Sequence, residues 1–128
     1  MTELRAFVDA ERARMLRELK ELLSIPSVST TPDHATDCRR AADWLAEHLR
    51  ALGCPNAELL GSETHPVVCA NGPEVPDAPT VIVYGHYDVQ PADPLDLWDS
   101  PPFEPTERDG SLFARGATDD KGQVFRSE

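Results

Sequence analysis

Residues 81–91 read Val-Ile-Val-Tyr-Gly-His-Tyr-Asp-Val-Gln-Pro, and this stretch decides the fold. The apolar run at residues 81–84 contains no alternating polar residue, which is typical of a strand covered on both faces. Gly85 follows the run, and His86 and Asp88 come directly after it. Because residues two apart on a strand point to the same face, we expect His86 and Asp88 to project together from the strand end.

This pair of side chains suits a metal site, in which Asp88 would hold the imidazole of His86 while that imidazole binds the ion. Asp119 offers a carboxylate of the kind that zinc accepts. A lone histidine is usually structural, but the end of a strand is where open α/β sheets place ligands, which favours a metal ligand at His86. Asp88 could instead cap a turn, although its spacing from His86 favours the orienting role.

Asp119 and Asp120 precede Lys121 and Gly122. Taken alone, two aspartates in this position favour a helix N-terminus, where carboxylates interact well with the helix dipole. A carboxylate can bind an ion while its backbone begins a helix, so the two interpretations are compatible. We expect Lys121 to be solvated or paired with a nearby acid. The remaining histidines lack a comparable context and are given no role: His34, His48 and His65.

Two helices are predicted in the first half of the chain. Apolar residues recur mostly at helical spacing over residues 3–23 and again over residues 34–52. Pro26 follows the first helix and pushes the preceding residue out of the helical region. Gly53 suits the C-terminal cap of the second helix.

Strands are predicted after residue 57. Short, largely apolar runs occupy residues 57–60, 66–70 and 80–84, separated by turn-forming residues. Asp109-Gly110 between residues 103–108 and 111–115 is a strong hairpin signal, and Pro105 confines the first of these strands to a sheet edge. Helices followed by apolar strands indicate an α/β layered domain.

The composition narrows the function classes. The chain has 12 Lys and Arg against 23 Asp and Glu, a formal net charge of −11, which argues against binding to nucleic acid. The three cysteines are odd in number and form no C-x-x-C pair, so we expect buried free thiols in a reducing compartment: Cys38, Cys54 and Cys69. The first residues lack the apolar core of a signal peptide, and no apolar run is long enough for a membrane span. We therefore expect a soluble, cytoplasmic protein that does not bind membranes.

Three motifs follow one another along the chain: Gly-His-Tyr-Asp-Val-Gln-Pro at residues 85–91, Trp-Asp-Ser-Pro-Pro-Phe at residues 98–103 and Ala-Arg-Gly-Ala-Thr-Asp-Asp-Lys-Gly at residues 114–122. Together and in this order they resemble the dizinc aminoacylase/carnosinase family of metallopeptidases, and most closely its dipeptidase branch. The resemblance extends over roughly residues 3–125 and implies an incomplete three-layer α/β catalytic domain, with two N-terminal helices followed by a mostly parallel sheet. By the same resemblance, residues 1–128 are the N-terminal part of that domain, and the C-terminal half and the lid domain used for dimerisation are absent.

The resemblance also implies site residues and a reaction. His86 would bind one zinc, Asp119 would bridge two, and Asp88 would be a catalytic residue that clamps His86. Manganese or another divalent metal could replace zinc. Water activated by the metals would attack the carbonyl of a dipeptide or small peptide. The family's members form homodimers, and their bond between the residues matching Asp119 and Asp120 is cis, a geometry that could relax to trans here.

The general base and the remaining metal ligands of this family would fall after residue 128. One metal would then have two protein ligands and the other only one, whereas catalytic zinc sites normally have three. We therefore expect the chain alone to bind zinc weakly and to lack appreciable peptidase activity. Two alternatives stay open: a non-catalytic remnant of a longer parent, and an independent binding module, which would need an apolar surface for a partner.

Overall fold

The computed structural model describes residues 2–127 and the side chains of residues 3–126. Its helices are α1 (Thr2–Leu23), α2 (Ala35–Ala51) and α3 (Lys121–Ser127), with short 3-10 turns at Pro32–His34 and Leu95–Leu97. Its strands are β1 (Glu58–Gly61), β2 (Pro66–Cys69), β3 (Thr106–Arg108) and β4 (Ser111–Phe113). The predicted α/β class and the two N-terminal helices are confirmed. None of the helices described between residues 2 and 127 combines the length and apolar character needed to cross a bilayer.

The two long helices end where the sequence predicts. After α1 the backbone turns through Ile25 and Pro26, and Ile25 N–H still donates to the Leu22 carbonyl at 3.3 Å. After α2, Gly53 adopts a φ of 101°, a left-handed conformation that favours glycine. The next amide, Cys54 N–H, then donates back to the carbonyl of Leu49 at 3.0 Å, which closes the helix end.

The described strands form two antiparallel hairpins. In one, Glu58 of β1 lies opposite Cys69 of β2, and in the other Thr106 of β3 lies opposite Phe113 of β4. Asp109 and Gly110 have φ angles of 49° and 78°, the positive pair that a tight two-residue hairpin requires. The predicted hairpin at Asp109-Gly110 is confirmed, with its first strand beginning after Pro105.

The mostly parallel sheet is not formed among residues 2–127. The four strands there pair only antiparallel, and the parallel pairing within this part of the chain is a single bridge between Val28 and Val89. The buried strand predicted at residues 81–84 is also wrong, because these residues carry no strand pairing and their side chains are 66–89% exposed. A strand needs a neighbouring backbone to complete its hydrogen bonds, and no described segment lies alongside this run.

The apolar core lies between the end of α1, the inner face of α2 and the segment around Val89. Its buried members are Leu22, Leu23, Ile25, Val28, Cys38, Ala41, Ala42, Leu45, Ala46, Ala57, Val89 and Ala92. The expectation of buried thiols holds for Cys38, whereas Cys54 is half-buried and Cys69 is exposed at the end of β2. The core therefore joins the helices to the chain that carries His86 and Asp88.

Candidate functional site

His86 and Asp88 point to the same side of the chain, as their spacing predicts. His86 Nδ1 lies 3.1 Å from Asp88 Oδ1 and 3.0 Å from the Asp88 carbonyl oxygen. Both of these oxygens accept hydrogen bonds, so Nδ1 donates to them in the tautomer in which it carries the proton. In that tautomer the other ring nitrogen, Nε2, presents a lone pair to a ligand.

Asp119 reaches this free side of the imidazole from the far end of the chain. Its Oδ1 atom lies 3.1 Å from His86 Nε2, and its side chain is 80% exposed. The bond between Asp119 and Asp120 is cis, as the family resemblance implies, and has not relaxed to trans. The structure thus brings together the three predicted site residues, His86, Asp88 and Asp119, at a position open to solvent.

The three oxygen atoms that face the nitrogens of the His86 ring are all acceptors, and this limits the protonation and binding states that the imidazole can adopt. A neutral imidazole can satisfy only one side of such an arrangement, because its second nitrogen presents a lone pair to a carboxylate. Either a second proton or a metal cation must lie between Nε2 and Asp119. Partial burial alone would lower the pKa of His86, but the hydrogen bond to the Asp88 carbonyl and the charge of Asp88, aided by Asp119 and Asp120, raise it above its usual value.

The donor atoms fit a zinc-type ion. Two atoms that bind one tetrahedral zinc at about 2.0–2.2 Å lie roughly 3.3–3.6 Å apart, so the 3.1 Å between Nε2 and Asp119 Oδ1 would widen by a few tenths of an ångström. In such a site Asp88 would be the carboxylate that orients the metal-binding histidine. Within residues 3–126, however, no group of three or more His, Cys, Asp or Glu side chains is placed to hold a metal. His86 and Asp119 by themselves would give such an ion only two protein ligands.

Asp120 holds the backbone of the site, a role that the sequence analysis missed. Its Oδ2 atom accepts the His86 backbone N–H at 3.1 Å, while its carbonyl accepts the N–H groups of Gln123 and Val124 at the start of α3. A side chain on Gly85 would come within 2.9 Å of Asp120 Oδ2 and 2.4 Å of Val124, so only glycine fits there. The helix N-terminus predicted at Asp119-Asp120 is confirmed, since α3 begins at the next residue.

Lys121 is neither solvated nor paired with an acid, so that expectation is wrong. Its side chain is fully buried, and Nζ donates to the backbone carbonyls of Leu22 at 3.0 Å and Ile25 at 2.7 Å. Cations interact well with the free carbonyls at a helix C-terminus, which explains the unusual location at the end of α1. Burial lowers the pKa of Lys121 to about 8. Sequence offers little warning of this, because a lysine is rarely buried.

The three histidines that were given no role lie away from this site. His34 Nδ1 contacts Asp37 Oδ2 at 2.8 Å, and His65 Nδ1 contacts Thr64 Oγ1 at 2.8 Å in an exposed turn. His48 stacks between Trp44 and Phe125, which packs α2 against α3. Burial lowers the pKa of His48.

Comparison with known proteins gives the same family as the motifs. Residues 82–126 match the model of peptidase family M20/M25/M40. A cysteinylglycine-S-conjugate dipeptidase from Corynebacterium striatum is 38% identical over 114 residues, which cover 89% of this chain and 25% of that protein.

Two solved structures share the fold. Human carnosine dipeptidase 1 superposes with a TM-score of 0.85 at 33% identity, covering 97% of this chain and 28% of that one. An M20 family metallo-carboxypeptidase from Sulfolobus solfataricus gives a TM-score of 0.76 at 37% identity, covering 87% and 24%. This chain spans about a quarter of the length of the relatives it matches. The resemblance to this group of metallopeptidases is therefore confirmed: over the residues that it shares with them, the chain is similar to peptidase family M20/M25/M40.

Proposed function

We propose that this chain supplies part of the metal centre of a peptidase that cleaves dipeptides. The observation that carries the proposal is the imidazole of His86, which is surrounded by acceptors and faces Asp119 at 3.1 Å. The names of two relatives, a cysteinylglycine-S-conjugate dipeptidase and a carnosine dipeptidase, support dipeptides as the substrate class. The name of the Sulfolobus relative, a metallo-carboxypeptidase, supports a metal-dependent mechanism.

In the proposed mechanism, His86 through Nε2 and Asp119 through its carboxylate would hold a divalent ion, and Asp119 would be shared with a second ion, as the family resemblance implies. Zinc is the proposed metal, since the two donors are an imidazole nitrogen and a carboxylate oxygen. When bound, such ions lower the pKa of a water molecule and polarise a peptide carbonyl. Asp88 keeps the proton on His86 Nδ1 and so presents the Nε2 lone pair to the ion. Asp120 fixes the backbone of His86, and the exposure of Asp119 leaves the site accessible to a peptide.

We further propose that these 128 residues on their own bind zinc weakly and do not hydrolyse dipeptides at an appreciable rate. The described part of the chain offers one nitrogen and one carboxylate to the ion, and a catalytic zinc normally has three protein ligands. A complete catalytic site would need further protein ligands, and pairing into homodimers is proposed from the family resemblance alone. The three unpaired cysteines support a reducing compartment such as the cytoplasm.

Calorimetric titration with Zn²⁺ tests the metal site, with a dipeptide hydrolysis assay run on the same samples. His86→Ala should abolish the measurable binding of zinc, whereas His65→Ala, which removes an exposed histidine with no carboxylate contact, should leave it unchanged. Equal binding by both variants would show that His86 is not a ligand. Robust hydrolysis by the unmodified chain that is lost in His86→Ala would show that two protein ligands suffice.

The alternative of a binding module needs an apolar surface, and the exposed run at residues 81–84 is one. Nothing in the described residues indicates what would cover that run. The convergence of His86, Asp88 and Asp119 from distant parts of the chain has no explanation in a binding module, so the metal site is the better-supported function.

A further inference from the structure

The segment that follows α1 runs directly alongside the histidine-bearing segment. Val28 and Val89 form a parallel bridge, and Val89 N–H donates to the Ser27 carbonyl at 2.9 Å. The fully buried Ser27 also donates its hydroxyl to the carbonyl of Tyr87 at 2.6 Å. Residues 27–29 are therefore held in a fixed register beside residues 87–89.

That register places Ser29 against the carboxylate of Asp88. Ser29 Oγ donates to Asp88 Oδ2 at 2.5 Å, while the other oxygen, Oδ1, faces His86 Nδ1 at 3.1 Å. Each carboxylate oxygen thus has its own partner, one on either side. A carboxylate bound only through Oδ1 could rotate about its terminal bond, which has broad and weak torsional preferences. With Ser29 in place, such a rotation breaks two hydrogen bonds.

We infer that Ser29 is a positioning residue for His86, acting through Asp88. By fixing the carboxylate, Ser29 adds to the effect of the Asp88 carbonyl oxygen, which also faces Nδ1 at 3.0 Å, and so favours the neutral imidazole with its proton on Nδ1 and its lone pair on Nε2, directed toward Asp119. What Nε2 then binds rests on the proposed function, but the position of the proton does not. Partners that orient a metal-binding histidine change the metal affinity about 10–100-fold when removed, and a residue one step further away should have a smaller effect.

The first measurement needs no metal. Nitrogen-15 NMR of the imidazole, at a pH where His86 is neutral, gives the ratio of its two tautomers. In the unmodified chain the Nδ1–H form should dominate. Ser29→Ala should shift the ratio about threefold to tenfold toward Nε2–H, which corresponds to the net worth of one hydrogen bond.

Matched variants distinguish the effect of the Ser29 hydroxyl from the effects of side-chain shape and of neighbouring hydrogen bonds. Ser29→Thr keeps the hydroxyl and should retain the tautomer ratio, whereas Ser29→Val has nearly the same shape without it and should behave like Ser29→Ala. This pair also serves if Ser29→Ala does not fold. Ser27→Ala removes a hydrogen bond to the same segment without touching Asp88, and should leave the ratio unchanged even if it lowers stability. An equal shift in Ser27→Ala, or identical ratios in the Thr and Val variants, would overturn the inference.

The second measurement is the affinity for Zn²⁺, by calorimetry, in a double-mutant cycle with Asp88→Ala. Ser29→Val should weaken binding about threefold to tenfold in the natural background and have no effect once Asp88 is gone, because the serine acts only through that carboxylate. An equal loss in both backgrounds would contradict the inference. If zinc does not bind but the tautomer ratio responds as expected, the proposed function fails and the role of Ser29 stands. If zinc binds through His86 but the tautomer ratio does not change in the Ser29 variants, the proposed function stands and the inferred role of Ser29 fails.

Discussion

The ammonium group of Lys121 lies 2.7 Å from the carbonyl oxygen of Ile25 and ties the loop that carries Asp119 to the end of α1. A second hydrogen bond, to Leu22, completes the attachment. The carbonyls of Leu22 and Ile25 also accept a backbone N–H each, from Ile25 and Ser27 respectively, so the buried ammonium adds a second donor to each.

Lys121→Met should lower the free energy of unfolding by about 1–3 kcal/mol. The substitution keeps most of the volume of the side chain but removes the two hydrogen bonds from the ammonium to the carbonyls of Leu22 and Ile25, and a hydrogen bond from a charged group contributes up to about 3 kcal/mol. Lys20→Met is the matched control, because Lys20 contacts Glu107 at a partly exposed position, where an ion pair is worth about 0–1 kcal/mol. Urea denaturation measures both. A smaller loss for Lys121→Met than for Lys20→Met would contradict the assigned role.

The stability that depends on Lys121 should rise with pH above about 8. The pKa of Lys121 is about 8 in the folded chain, compared with 10.5 for a free lysine. Between these two values the unfolded chain binds more protons at this residue than the folded chain does, so unfolding becomes less favourable as pH rises. This pH-dependent contribution of Lys121 to the unfolding free energy is absent below pH 8 and grows by at most about 3 kcal/mol toward pH 10.5. At each pH, the unfolding free energy of Lys121→Met is subtracted from that of the unmodified chain, which isolates the contribution of Lys121. A difference that falls between pH 8 and 10.5 would contradict this prediction.

Gly122→Ala should damage the site although alanine normally favours a helix over glycine by about 1 kcal/mol. A side chain at this position would lie 2.1 Å from the carbonyl oxygen of Ala117 and 3.1 Å from its carbon, which are backbone atoms of the loop before Asp119. We expect a destabilisation of about 1–3 kcal/mol and weaker zinc binding, as for other overpacked sites. Gly72→Ala is the control, since nothing lies within 4 Å of its added atom. Thermal unfolding compares the two variants, and equal melting temperatures would show that the loop can move aside.

Zinc affinity should fall as the pH is lowered, because a proton and the ion compete for His86 Nε2. Despite the opposing effect of partial burial, the hydrogen bond and charge of Asp88 raise the pKa of His86, so the loss should begin above the usual histidine value of about 6.5. At pH values well below this raised pKa, protonation of His86 should lower the zinc affinity about tenfold for each pH unit. Calorimetry between pH 5.5 and 8.5 measures the dependence. An affinity that is flat through this range would exclude His86 as a ligand.

The features that the sequence predicted are those governed by local rules. Helical periodicity and Gly53 located α2, Asp109-Gly110 located a hairpin, and the spacing of His86 and Asp88 placed them on one side of the chain. Each of these depends on residues a few positions apart.

The features that the sequence did not predict depend on distant partners. Residues 81–84 have the composition of a buried strand, but a strand forms only where another backbone can pair with it. Burial of Lys121 requires free carbonyls at the end of α1, nearly a hundred positions earlier. The contact between Asp120 and the His86 amide likewise joins two separate segments, and no local pattern marks it.

The bridge between Val28 and Val89 has a consequence for interpreting natural variants of this chain. Leu22 and Leu23 are fully buried and neither is a proposed metal ligand, yet the carbonyl of Leu22 anchors Lys121 and the segment that follows them pairs with residues 87–89. A substitution at the end of α1 would therefore displace the imidazole of His86 by shifting the backbone that carries it. In a survey of variants that measures only enzymatic activity, such a change would be indistinguishable from the loss of a metal-binding residue.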